Sequence, residues 1–120
     1  MIEMDVLFID LETFSDIDLS KCGSYKYAES PSFEILLFGY SINGGPVKVI
    51  DLASGEEIPN DIISAITDES VTKWAFNASF ERICLSNWIR KHYPRYFKGY
   101  GDSNDSVGKF LNPKSWKCSM

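Results

Sequence analysis

Apolar positions along this chain fall in short runs whose period switches between two and roughly 3.6 residues, the pattern of strands alternating with helices. In the first run, 5–12 (DVLFIDLE), Val6 and Phe8 share one face, and Leu7, Ile9 and Leu11 share the other. Apolar residues on both faces predict a central strand covered from both sides. Two further β-rich runs, 33–42 (FEILLFGYSI) and 46–52 (PVKVIDL), flank Asn43-Gly44-Gly45, a tight-turn signal for an antiparallel hairpin. Residues 60–67 (NDIISAIT) suit a short helix that Asn60 or Asp61 can cap, with Ile62, Ile63 and Ile66 at helical spacing. A strand at 71–76 and a long helix at 77–93 follow, with Pro94 directly after the helix. The polar stretch 13–32, with Gly23, Ser30 and Pro31, reads as a long excursion, and 115–120 can begin a fifth strand.

This order predicts an antiparallel meander of three strands. A right-handed crossover through the short helix then sets strand 71–76 parallel to strand 5–12. The expected fold class is α/β: a mixed sheet of strand order 3-2-1 plus parallel strand 4, and possibly 5, with packed helices. The whole chain reads as one domain, 1–120.

Candidate chemistry enters with three acids. Asp10 and Glu12 lie two apart at the end of the first strand, so alternation puts both on one face with Cα atoms roughly 6.5–7 Å apart. If that face is covered, two carboxylates there call for something positive between them, and a hard divalent cation fits. A bare D-x-E is a weak signal, and fraying of the strand into water is the competing reading. The long helix adds Glu81. At about 100° per residue, Leu85 lies about 40° from it, Trp88 about 20° and Cys84 about 60°, so Glu81 sits inside the apolar stripe. Arg82, Ser86, Asn87 and Arg90 take the opposite side, with Ile83 as the exception. Because the helix starts where strand 71–76 ends, Glu81 is expected at the carboxyl end of the sheet beside Asp10 and Glu12, where α/β proteins place their ligands.

Composition narrows the picture. The net charge of −5 disfavours a protein that holds nucleic acid by charge alone, but bound divalent ions reverse the sign locally, so a nuclease survives this test. Cys22, Cys84 and Cys118 form no C-x-x-C pair, which argues against a zinc ribbon and for reduced thiols in a cytoplasmic setting. No apolar run reaches the roughly 20 residues a membrane helix needs, and no membrane association is expected.

Phe8-Ile9-Asp10-Leu11-Glu12-Thr13 resembles the first motif (D-x-E-T) of the DEDD superfamily of 3′–5′ exonucleases, and Asn77-Ala78-Ser79-Phe80-Glu81 resembles the second. The block KCGSYKYAESPSFEILLFGYSINGGPVKVIDL is similar to the same region of bacteriophage-type family A DNA polymerases. The resemblance covers almost the whole chain. It implies a ribonuclease H-like fold and a proofreading 3′–5′ exonuclease domain acting on a single-stranded DNA 3′ end, attached to a polymerase domain. By the same resemblance Asp10, Glu12 and Glu81 are catalytic and hold two Mg²⁺ or Mn²⁺ ions, set about 3.5–4 Å apart in the general two-metal scheme. Leu11, Thr13, Asn77 and Phe80 match positions that bind the terminal nucleotide, although Phe80 is equally readable as core.

Two departures qualify the match. The second motif usually carries Asp where this chain has Glu81. The third motif, an Asp preceded four residues earlier by Tyr or His, is not found after Glu81; Asp102 and Asp105 lack its helical setting, and His92 lies about 16 Å along the helix from Glu81. His92 is instead expected to serve the helix C-terminus in its charged form. The chain is therefore expected to be a truncated piece, weak or inactive alone, with self-association through exposed apolar surface. Alternatives are a non-catalytic single-strand-binding domain using Tyr25, Lys26 and Tyr27, and an exoribonuclease.

Overall fold

The computed structural model describes residues 5–97, 111 and 113–118. Its elements run β1 (Val6–Phe14), α1 (Leu19–Glu29), β2 (Glu34–Ile42), β3 (Lys48–Asp51), α2 (Asn60–Thr67), β4 (Thr72–Ala75), α3 (Ala78–His92) and β5 (Trp116–Cys118), with 3₁₀ turns at Leu52–Ser54, Pro94–Phe97 and Pro113–Ser115. The five strands form one mixed sheet in the order β3-β2-β1-β4-β5. β1 pairs antiparallel with β2 and β2 antiparallel with β3, whereas β1 with β4 and β4 with β5 are parallel. The α/β class, the meander, the crossover and the fifth strand all appear as the sequence predicts.

The hairpin turn follows its chemistry. Asn43 and Gly44 both adopt positive φ (53° and 78°), the backbone a tight β-hairpin demands and that Asn and Gly tolerate best. Asn43 also accepts the Asp5 and Val6 backbone N–H groups on its Oδ1, tying the turn to the start of β1.

β1 alternates cleanly. Leu7 and Ile9 are buried at 0% and 5% exposure, while Phe8, Asp10 and Glu12 point to the exposed face. Register carries this division across the sheet: Leu7 and Ile9 stand beside Lys73 and Ala75 on the buried face, and Phe8 stands beside Ser41 and Trp74 on the other. The expectation that both faces of β1 are covered is corrected here. The helices pack over the Leu7–Ile9 side, and the Phe8–Asp10 side carries Phe8, Val49 and Phe76 as exposed apolar side chains. An apolar residue in a strand reports a preference for burial; what covers it is decided by other elements.

Residues 13–32 are also corrected, from excursion to helix. Asp18 accepts the Ser20 N–H at 3.0 Å and opens α1, which breaks at Gly23 (φ 83°) before resuming. Only Ala28 of α1 is fully buried, so the helix lacks the apolar stripe that would have revealed it. Its ends are held together by Asp16, whose Oδ1 accepts from the Ser30 and Ser32 hydroxyls at 2.5 and 2.7 Å.

α2 spans the expected residues, but its N-cap is Pro59 with no side-chain hydrogen bond, so neither Asn60 nor Asp61 caps it. Ile62, Ile63, Ala65 and Ile66 are buried in the main core with Phe38 of β2. β5 is anchored partly through Lys73, which is buried, donates to the Asp68 carbonyl at 2.6 Å and lies 5.9 Å from the Trp116 ring centroid. Burial lowers the Lys73 pKa to about 8.

Candidate metal centre

α3 places the site. Asn77 occupies its N-cap, and the Asn77 side-chain oxygen accepts the Phe80 N–H at 3.4 Å. Glu81 follows in the first turn, its own N–H bonded to the Asn77 carbonyl at 3.1 Å. As the helical spacing predicts, Glu81 points inward and is only 5% exposed. Below it Cys84 and Leu85 are both fully buried, so the floor of the site is apolar.

The other side of α3 differs from expectation. Ile83, Ser86 and Asn87 are buried as well. The Ser86 hydroxyl donates to the Arg82 carbonyl and accepts the Leu111 N–H at 2.9 Å, while Arg82 donates to the Leu111 carbonyl at 3.0 Å. Polar residues here satisfy a returning chain segment that helical periodicity cannot reveal.

β1 and α3 come together beyond the end of β4. β4 pairs with β1 only as far as Ala75 beside Ile9, whereas β1 runs on through Phe14. Asp10 is the first β1 residue past that paired stretch, and the chain turns there through Phe76 and Asn77 into α3. Glu81 Oε2 is buried with no hydrogen-bond partner. Desolvation pushes the Glu81 pKa up from 4.5 to about 7, and the negative charge of Asp10 adds to the rise against opposing backbone hydrogen bonds. Burial, with a further push from Glu81, also drives the Cys84 thiol upward and keeps it protonated.

The structure thus brings Asp10 and Glu81 within electrostatic reach. Glu12 lies one alternation further along the same face of β1 as Asp10, exposed rather than buried. The cost of burial inferred for Asp10 and Glu12 therefore falls on Glu81 instead. Among the described residues no three His, Cys, Asp or Glu side chains gather closely enough to hold a metal ion as they stand.

The four residues matched to the terminal-nucleotide pocket take separate places. Leu11 is half-buried against the core, and Asn77 serves as the helix cap. Thr13 and Phe80 are linked through Tyr27, whose hydroxyl lies 3.0 Å from Thr13 Oγ1 and whose ring lies 5.8 Å from Phe80 and 5.9 Å from Phe33. Tyr27 is thereby a packed bridge between α1, β1 and α3, which favours packed tyrosines over a stacking role for this residue of the Tyr25-Lys26-Tyr27 cluster. His92 rests 4.9 Å from the Trp88 ring, and its pKa is lowered, by desolvation first and Lys91 second, so the charged form expected at the helix C-terminus is disfavoured. Asp102 and Asp105 lie outside the described residues. Cys22, Cys84 and Cys118 are free, and among the described residues no helix is long and apolar enough to cross a membrane.

Fold and site together define an α/β domain with a desolvated carboxylate and a second acid at the carboxyl end of its central parallel strand pair. In sequence the chain is similar to a DNA polymerase of Bacillus phage SP02, 42% identical over 116 residues. That match takes in 97% of this chain and 15% of the relative's length, so the chain corresponds to a DNA polymerase-related region. No family model matches the chain, and no solved structure matches it.

Proposed function

We propose that this chain belongs to a 3′–5′ exonuclease domain of a DNA polymerase, which hydrolyses the terminal phosphodiester of a single-stranded DNA 3′ end with two divalent ions. The observation that carries the reading is Glu81: a buried carboxylate with an unpartnered oxygen, next to the charge of Asp10, on an otherwise apolar floor. A proton can neutralise such a group, and so can a cation. An all-carboxylate donor set suits Mg²⁺ or Mn²⁺ rather than a softer metal. The strand order and mixed pairing accord with a ribonuclease H-like fold.

Asp10 and Glu81 fit the role of shared ligands, with Glu12, exposed on the Asp10 face, rotating in as the third acid. Bound ions would supply Lewis-acid charge and lower the pKa of a coordinated water. The chain's own contribution is positional. The parallel pair and the Asn77 cap fix the start of α3, and the apolar floor keeps Glu81 desolvated and its affinity for a cation high. The Thr13–Tyr27–Phe80 bridge sets the wall beside it. Leu11, Thr13, Asn77 and Phe80 are proposed to line the terminal-nucleotide pocket.

The test is metal-dependent trimming of a single-stranded 3′ end by the polymerase carrying this chain. Losing several kcal/mol of charge stabilisation predicts that Asp10→Ala and Glu81→Ala each reduce trimming by about a thousandfold or more, with polymerisation retained. Unchanged trimming in Asp10→Ala excludes the assignment, and faster trimming of RNA than of DNA would reassign it to an exoribonuclease.

A further inference from the structure

Between β1 and β2 the chain makes an excursion, residues 15–32, that contributes little to the core. Its helix α1 buries only Ala28 completely and breaks at Gly23, while closing so long a loop costs conformational entropy. The excursion is clasped at its base. Asp16 Oδ1 accepts from the Ser30 and Ser32 hydroxyls, and the Asp16 N–H donates to Ser32 Oγ at 2.9 Å. What it delivers to the candidate site is Tyr27. The Tyr27 hydroxyl lies 3.0 Å from Thr13 Oγ1, and its ring meets Phe80 at a tilt of 50° with centroids 5.8 Å apart. Thr13 directly follows Glu12 on β1, and Phe80 directly precedes Glu81 on α3, so one side chain braces the residues next to two of the three acids. Each of the two hydroxyls carries one hydrogen; their mutual bond uses one and leaves the other to donate outward.

We propose that Tyr27 is a positioning residue for the terminal-nucleotide pocket, holding the Thr13 hydroxyl through its own hydroxyl and the Phe80 side chain through its ring. The proposal rests on the exonuclease reading, which supplies Thr13 and Phe80 as pocket residues, and adds a residue that neither sequence motif contains. Without the phenol the Thr13 hydroxyl is free to rotate and must be ordered each time a nucleotide binds, which lowers affinity. With it the outward donor is already oriented. The ring acts on the other wall. Tilted against Phe80 and set edge-on to Phe33 at 5.9 Å, it keeps Phe80 from turning into the space it fills. A purely structural Tyr27 would matter to folding alone, whereas a positioning Tyr27 matters to a ligand through the Thr13 hydroxyl.

The test is calorimetric titration of the full chain with thymidine 5′-monophosphate at saturating Mn²⁺, with urea unfolding of each variant run alongside. Tyr27→Phe keeps the ring and is expected to weaken nucleotide binding about fivefold, the effect of one preorganising hydrogen bond. Thr13→Val is expected to weaken it at least as much. The double variant Thr13→Val/Tyr27→Phe should bind no more weakly than Thr13→Val alone, because Tyr27 acts through that hydroxyl. Tyr27→Leu, which also removes the ring, is expected to weaken binding roughly tenfold or more. Wild-type affinity in Tyr27→Phe overturns the proposal, and a lowered urea midpoint beside it assigns Tyr27 to packing alone. Effects of Tyr27→Phe and Thr13→Val that multiply independently overturn it too, as does a wild-type chain that binds no nucleotide. Trimming by Asp10→Ala is scored separately in the polymerase carrying this chain. Its loss alongside unaltered nucleotide affinity in Tyr27→Phe removes the positioning role and leaves the exonuclease reading standing. Retained trimming alongside weakened, coupled binding removes that reading and leaves Tyr27 positioning a nucleotide pocket that does not cut.

Discussion

Leu7, Ile9, Phe38 and Ala75 stand on one face of the sheet at 5% exposure or less, whereas Phe8, Asp10, Val49 and Phe76 stand on the other and are exposed. β1 supplies residues to both sets, one position apart. The buried face is closed by helices, with α2 contributing four buried residues in eight. The open face mixes aromatic rings with two carboxylates. The difference teaches that the first set holds the domain together, while the second is available for contact with something else. Glu81 is the exception that joins them: it belongs to a core-facing helix, yet its carboxylate is coupled to Asp10 on the open face.

The sharpest way to break this comparison is to cut into the closed face. Phe38→Ala removes a fully buried ring and is expected to cost about 3–5 kcal/mol, read as a lower midpoint in urea unfolding at unchanged slope. A cost near zero would mean that the helices do not close over β2.

A smaller effect comes from Glu81. Its folded pKa of about 7 lies above the ordinary carboxylate value, so the folded state favours the protonated form. In EDTA, stability is therefore highest below the unfolded-state pKa, near 4.5. It falls as pH rises to about 7 and levels off above that, a loss of roughly 2–3 kcal/mol from this group. Glu81→Gln carries no charge to bury and should remove most of that slope in chemical unfolding measured across the same pH range. A slope unaltered by the substitution would place the titrating group elsewhere.

The smallest effects belong to the open face. Val49→Thr keeps a β-branched residue in a strand and deletes little buried area, so it should change stability by no more than about 0.5 kcal/mol. A loss of several kcal/mol in thermal unfolding would show that this face is covered in the isolated chain.

Much of the fold was legible because its signals are local. Asn43-Gly44-Gly45 demands a turn that few other tripeptides make, and the isoleucines of α2 repeat at helical spacing. Glu81 among Cys84, Leu85 and Trp88 announced a buried acid before any packing was known. What stayed hidden is non-local. α1 buries only Ala28, so no stripe marks it, although Asp18 two residues before Ser20 is a capping signal that could have been used. Burial of Ser86 depends on Leu111, 25 residues away, and whether Phe8 meets a helix or solvent depends on which side the crossovers take. Of the site, Asp10 and Glu81 were readable as neighbours from the parallel pairing. The Thr13–Tyr27–Phe80 bridge was not, because it depends on side-chain packing that α1 determines.

The account depends most on Glu81 and Asp10 sharing a cation, and Mn²⁺ titration of the full chain near pH 7 by calorimetry in buffers of different ionisation enthalpy tests that directly. Because Glu81 is partly protonated there, binding should release about half a proton per chain, and both the heat and the proton release should vanish in Glu81→Gln and in Asp10→Asn. Mn²⁺ binding of wild-type strength in either variant, or no binding by the wild-type chain, would contradict it.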